Sequence, residues 1–257
     1  MNSIRRLPYG YRGKLGLIVV GTNPTPREDI GRMVPDGVVV LETRVLMKAT
    51  RAELEVVRRI SDELPQAASI LAQGKVNAIA VACTSGTVSG GPGHEEDEIR
   101  QMEEASGGIP CTTVVSSVVG AMRFMGWRRI ALASPYIDEI NQEFRAYFAA
   151  NGVEVLDVRA LGIRDAYELA DVPPHRVYEL VRSAAAKDAD GIFVPCTTFP
   201  AIDIIDEAER DTKKPVITSN QALTWELLRL IGLDEPIEGF GRLLRRENRS
   251  AAAVGRT

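Results

Sequence analysis

The sequence predicts an α/β doubly wound fold built as two similar lobes, and three observations carry that prediction. Short apolar runs rich in β-branched residues alternate along the chain with longer helical stretches. The runs are near-continuously apolar, as strands of a parallel sheet covered on both faces require. Strand, helix and strand in repetition mean an α/β architecture. Finally, "AIAVAC" followed by "TSGT" is echoed by "GIFVPC" followed by "TTFP", with the two cysteines 113 positions apart. "LGLIVVGTN" and "RRIALASPYIDEIN" repeat at nearly the same offset, so two matches at a common spacing point to a duplicated unit.

The predicted strands are residues 15–21, 37–45, 76–83, 128–135, 152–161, 190–196 and 215–220. Helices are predicted over 50–74 and 137–152. In the second, Ile140, Phe144 and Tyr147 share one helical face and Gly152 ends the helix. "VVGAMRFMGW" reads as a helix joining the lobes. The first lobe is placed at residues 1–117 plus 219–257 and the second at 118–218. The C-terminal helix "QALTWELLRLIGL" then returns to pack on the first lobe.

Composition narrows the function classes. The chain has 257 residues, 45% hydrophobic and 26% charged, enough to bury a sizeable core. Its 31 basic and 35 acidic residues give a net charge of −4, without the electrostatic footprint of a nucleic-acid binder. The basic run "RLLRRENR" reads as a solvated helix end. No apolar run is long enough to span a bilayer, and "MNSIRRLPYGYRGK" lacks the apolar region of a secretory signal. Three cysteines at unrelated spacings do not form a disulfide framework. The expectation is a cytoplasmic protein with reduced thiols.

Ligand sites in parallel α/β sheets lie at the carboxyl ends of strands. Cys83 and Cys196 each stand at such an end, followed by small hydroxyl residues: Thr84, Ser85 and Thr87, and Thr197 and Thr198. Turn N–H groups there bind anions and favour a thiolate. If the lobes face each other, so do the thiols, one serving as base or nucleophile and the other as proton donor. A cysteine is also a small, commonly buried hydrophobe, but the matched placement in both halves favours chemistry for this pair. Cys111, in the first of two PCTT stretches, has no counterpart in the other lobe and reads as packing.

Other polar residues near strand ends are weighed the same way. Asn23 could orient a carboxylate or be an ordinary turn residue. Tyr136 could donate to an oxyanion or be a half-buried aromatic at a helix start. In "TSNQA", Ser219 and Asn220 read as site residues or as a cap, with Asn220 heading the helix. His94 and His175 sit by no cysteine and share no ligand spacing, so a zinc site is not indicated. "HEEDE" reads as a solvated helix start. "SGGPG" lacks the lysine and glycine order of a nucleotide loop. The chemistry is therefore read as cofactor-free, with no metal.

"VACTSGT", "VPCTTFPA", "ASPYIDEIN" and "TSNQALTW" give the chain a resemblance to the Asp/Glu racemase superfamily. The branch it resembles holds maleate cis-trans isomerase, the ectoine-utilisation protein EutA and arylmalonate decarboxylase. The resemblance extends from "KLGLIVV" to "GFGRLL", and the order and spacing of its short motifs make it specific. It implies two flavodoxin-like lobes with parallel sheets, related by pseudo-two-fold symmetry, around a cofactor-free site. It also implies that Cys83 adds as a thiolate to the alkene carbon of a maleate-like substrate. Rotation about the single bond and loss of the thiolate follow, with Cys196 transferring a proton. Asn23 and Tyr136 match the family's substrate-binding asparagine and tyrosine. Thr84, Ser85 and Thr197, with Thr198 beside it, fall where donors hold a substrate carboxylate. Arylmalonate decarboxylase is similar in "IPCTT", "RRIALASPYIDEIN" and "GFGRL" but has glycine where this chain has Cys83, which favours a two-thiol reaction. Two positions depart from the maleate isomerases: Ala166 replaces a substrate-binding asparagine, and "GTNPTP" replaces a serine-rich turn.

The leading expectation is thus a cofactor-independent isomerase of a small carboxylate. Its alternatives are an amino-acid or hydantoin-type racemase, an arylmalonate-type decarboxylase, and a non-enzymatic small-molecule binding or thiol redox-sensing protein. The expected partner is a small carboxylate substrate, with no nucleic acid or membrane. The family resemblance adds a homo-oligomer, a dimer or higher.

Overall fold

The computed structural model describes residues 7–46, 59–91 and 93–245. The first series of elements is β1 (Gly13–Val20), α1 (Pro26–Met33), β2 (Val38–Val45), a 3-10 turn (Arg59–Glu63), α2 (Leu64–Gln73), β3 (Ala78–Ala82), α3 (Thr84–Ser89), α4 (His94–Ser106), β4 (Cys111–Thr113) and α5 (Val114–Met125). The second is β5 (Arg129–Tyr136), α6 (Asp138–Ala150), β6 (Glu154–Ile163), α7 (Pro174–Ser183), β7 (Gly191–Val194), a 3-10 turn (Ile202–Ile204), α8 (Ile205–Thr212), β8 (Val216–Thr218), α9 (Ser219–Leu230) and α10 (Gly241–Arg245).

Each series forms a four-stranded parallel sheet, and the two sheets share one order: β2-β1-β3-β4 and β6-β5-β7-β8. The strands β1, β3, β5 and β7 are central in their sheets and almost wholly buried, which is why their sequences are apolar without alternation. The edge strands β2 and β6 are half-buried and carry charged residues. At Gly191 the core closes on the backbone, since a Cβ there would lie 2.2 Å from the Trp127 ring.

Helix α9 leaves β8 and packs against α1, β3 and α5, elements of the first series. Thr218 caps it, with Gln221 completing a capping box, so the helix begins at Ser219 rather than with Asn220 as its head. Thr113 caps α5 in the same way, by accepting from the Ser116 N–H at 3.2 Å. The two PCTT copies are therefore not equivalent, since only the first supplies a helix cap. In the first copy Cys111 opens β4, as Val216 opens β8. In the second copy the stretch follows the end of β7.

Three further expectations need correction. The helix over 50–74 is broken where described: a 3-10 turn precedes α2, and Pro65 sits in the first helical turn, where it lacks an N–H to give. Residues 50–58 of that helix lie outside the described residues. The acidic run at 94–98 does start a helix, but Glu95 and Glu98 are buried. Both have partners: Tyr147 OH donates to Glu95 at 2.7 Å, and Ser61 Oγ and Thr87 Oγ1 donate to Glu98 at 2.6 and 3.0 Å. Within "RLLRRENR", Leu243 and Leu244 are buried and Arg245 pairs with buried Glu209 at 3.3 Å. Its residues 246–249 lie outside the described residues. No helix among the described residues is long and apolar enough to cross a membrane.

Candidate active site

The carboxyl ends of β1, β3, β5 and β7 converge on a small cleft of about 50 Å³ free volume. That is space for a few waters or one small organic acid. Its lining includes Asn23, Cys83, Thr84, Ser85, Tyr136, Cys196, Thr197 and Thr198, so these eight sequence candidates meet in one place, whereas Thr87, Ser219 and Asn220 are not part of the lining. Cys111 does not: its Sγ donates to the Ile109 carbonyl at 3.2 Å, in the packing beneath β4. His175 lies in α7, away from the lining.

The two cysteines are not placed identically. Cys83 directly follows β3 and is the extended residue before α3. Cys196 stands two residues beyond β7, after Pro195, with a φ of +89°. That left-handed conformation is unusual for a residue with a side chain and has to be imposed by its surroundings. The bonds that impose it come from the other lobe. Asn23 Nδ2 donates to Thr197 Oγ1 at 2.9 Å, and Thr197 Oγ1 donates to the Ala82 carbonyl at 3.0 Å. The Asn23 turn is itself held by Arg44, whose Nη1 donates to the Gly21 and Asn23 carbonyls at 3.2 and 3.1 Å. Thr84 Oγ1 meets Ser219 Oγ at 3.1 Å, which ties the first residue of α3 to the first of α9.

Burial sets the electrostatics. Desolvation pushes the Cys83 thiol up to about 12, opposed by the Gly86 N–H, which faces its sulfur. Cys196 is also raised, again by desolvation, against the Tyr136 hydroxyl and the Thr198 and Phe199 N–H groups directed at its sulfur. Tyr136 is raised far above the ordinary tyrosine value by burial first and by the Cys196 charge next, with Ser85 in hydrogen-bond reach of its oxygen. At neutral pH both thiols and the phenol therefore carry their protons. Tyr136 is a fixed donor, and each thiolate would find N–H donors already in place.

The lining also holds Ala166, at the position where the resemblance puts a substrate-binding asparagine, and apolar residues the sequence did not mark. Val20, Ile60, Ala82, Ala166 and Leu169 make part of the lining apolar, and no charged side chain lines the cleft among the described residues. Ile60 comes from the 3-10 turn that interrupts the helix expected over 50–74, and Leu169 from an irregular loop. Ala166 and Leu169 lie in the loop after β6. Nor is any group of three His, Cys, Asp or Glu among the described residues placed to hold a metal ion.

Residues 28–244 match the profile of the family described as arylmalonate decarboxylase. The arylmalonate decarboxylase of Bordetella bronchiseptica is 37% identical over 145 residues, 55% of this chain and 60% of that protein. The maleate isomerase of Nocardia farcinica is 29% identical over 188 residues, 71% of this chain and 75% of that protein. Among solved structures, a cysteine-to-serine mutant of Nocardia farcinica maleate cis-trans isomerase superposes with a TM-score of 0.83 at 24% identity. It covers 91% of this chain and 98% of that one, and holds a covalently bound succinylcysteine intermediate.

Proposed function

Because the chain belongs to the arylmalonate decarboxylase family, we propose that it is a cofactor-independent isomerase acting on a small carboxylate through Cys83 and Cys196. The observation that carries this reading is the meeting of both thiols in one cleft, with the Tyr136 hydroxyl directed at Cys196. A lone buried cysteine needs no such donors. The covalent cysteine adduct in the Nocardia isomerase supports thiol addition as the class of chemistry.

In the proposed cycle Cys83 first loses its proton to solvent, and its thiolate forms a C–S bond to one alkene carbon of a maleate-like acid. The π pair moves to the neighbouring carbon and its carboxyl group, giving an enediolate. Thr84, Ser85, Thr198 and Tyr136 are the donors that would hold the developing charge, and fixed donors in a dry site do this without reorganisation. Cys196 gives its proton to that carbon and later takes it back. Rotation about the new single bond precedes elimination of the Cys83 thiolate. Asn23 and Thr197 hold the two loops in register. The lobe limits 1–117 with 219–257, and 118–218, belong to the same proposal and are supported by the packing of α9 on the first sheet.

A second reading is favoured by the apolar part of the lining. With Ala166 and Leu169 in the lining and no charged side chain there among the described residues, the cleft suits an apolar arm better than a second carboxylate. An arylmalonate-type decarboxylase or a hydantoin-type racemase would use the same thiols to move a proton at an α-carbon. One experiment separates the readings. Purified protein without added cofactor is incubated in deuterated water with maleate, arylmalonates, hydantoins or enantiopure amino acids, and followed by NMR. Conversion of maleate to fumarate supports the isomerase. Deuterium entering an α-carbon, with maleate untouched, replaces it with the second reading.

A further inference from the structure

Behind the cleft lie two buried polar residues that the cycle above leaves unused. Asp29 on α1 and Asn220 in the first turn of α9 are 8% and 2% exposed. Asn220 Nδ2 donates to Asp29 Oδ2 at 2.7 Å and to the Thr197 carbonyl at 2.9 Å. Thr25 Oγ1 donates to the same carbonyl at 2.5 Å. That carbonyl belongs to the peptide group whose N–H, on Thr198, faces the Cys196 sulfur.

We propose that Asp29 and Asn220 are positioning residues for Cys196, which orient and polarise the Thr197–Thr198 peptide so that its N–H supports the thiolate. The proposal rests on the reading of Cys196 as a reacting thiol. A carbonyl that accepts hydrogen bonds makes the N–H of its own peptide a stronger donor, because hydrogen bonds in a chain polarise one another. The direction of the amide is not free. With two acceptors in front of it, Asn220 has to present its nitrogen. Its oxygen is then buried without a hydrogen-bond partner among the described residues. A buried unpaired amide oxygen and a buried carboxylate both cost stability, so packing alone does not account for the pair. The left-handed φ of Cys196 shows what they hold against: a strained turn that relaxes unless its neighbours fix it. The charged groups facing Asp29 are Arg32 and Glu28 on its own helix and Asp203 from the other lobe. None of them faces the Thr197 carbonyl, so the Asn220 amide is the link from Asp29 to the cysteine loop.

The test reads thiol chemistry directly. Iodoacetamide alkylation of the full-length chain is followed at each cysteine by peptide mass spectrometry between about pH 6 and pH 10, the range in which thiols titrate. Asn220→Ala is expected to slow Cys196 at pH 8 by roughly tenfold, the worth of one hydrogen bond, and to move its profile to higher pH. Cys83 keeps its rate. Asp29→Asn retains an acceptor for Asn220 and keeps the Cys196 profile, whereas Asp29→Leu behaves as Asn220→Ala. An unchanged Cys196 profile in Asn220→Ala, or an equal slowing at Cys83, overturns the proposal. Should Asn220→Ala fail to fold, equal Cys196 rates in Asp29→Leu and Asp29→Asn overturn it instead. Failure of the isomerase reading looks different: Cys196→Ala would then turn over substrate whatever the alkylation shows.

Discussion

Thr197 Oγ1 donates to the Ala82 carbonyl at 3.0 Å, so the residue after one cleft thiol is bonded to the residue before the other. The two loops come from different sheets, and this contact, with the Asn23 bond to the same hydroxyl, sets their separation. Thr197→Val keeps the shape of the side chain and deletes both bonds. Two buried groups, Asn23 Nδ2 and the Ala82 carbonyl, then lose a partner, at a cost of about 1–3 kcal/mol. Urea unfolding should show that loss, and turnover should fall roughly tenfold or more as the thiols drift from register. A stability loss with full turnover would show that this contact does not position the thiols.

Cys83→Ala and Cys196→Ala are each expected to abolish turnover while leaving the fold intact, since both side chains line the cleft. Cys111→Ala removes a buried sulfur that contacts only the interior, and turnover should stay within about twofold at a stability cost of about 1 kcal/mol. The three variants are compared by NMR turnover and by thermal unfolding. Loss of activity in Cys111→Ala alone would reverse the assignment.

What the sequence made visible was the periodic part. "GLIVV" and "IALAS" could be read as buried parallel strands because every residue faces a covered surface, and strand ends then located Cys83, Cys196, Asn23 and Tyr136. Local apolar rules could not reach the rest. Glu95, Glu98 and Met102 share the buried face of α4, but charged residues at helical spacing read as a solvent face until Tyr147, Ser61 and Thr87 arrive from other elements. The same holds for Asp29, whose partner Asn220 lies 191 positions away. The φ of Cys196 is set by bonds across the cleft, so no local pattern around "VPCTT" announces it.

Activity should rise with pH across the neutral range. The Cys83 thiol, pushed up to about 12 by desolvation, is protonated in the free enzyme, and the attacking form is the thiolate. Below that value each rise of one pH unit multiplies the thiolate fraction by about ten. The profile of kcat/KM reports the free enzyme, so its logarithm should climb with a slope near one between roughly pH 6 and pH 9. Initial rates at low substrate concentration across buffers of constant ionic strength measure it. A plateau already reached at pH 7 would mean that the attacking thiol is ionised at rest.

The apolar part of the lining makes Ala166 the position at which substrate choice can be moved. Ala166 is buried, lines the cleft and lies in the loop after β6. A dicarboxylate placed there would leave its second carboxylate against a methyl group with no donor, which costs binding. Ala166→Asn supplies an amide donor at that position. It is expected to lower KM for maleate by roughly tenfold, the worth of one hydrogen bond to a charged group. The same amide narrows the cleft and leaves a polar group facing any apolar arm, so turnover of arylmalonates should fall. Steady-state kinetics on both substrate classes, for the parent and the variant, give the comparison. If KM for maleate stays the same while arylmalonate turnover drops, the second carboxylate does not bind at this position, and the maleate-like substrate has to be replaced by one with a single anchored carboxylate.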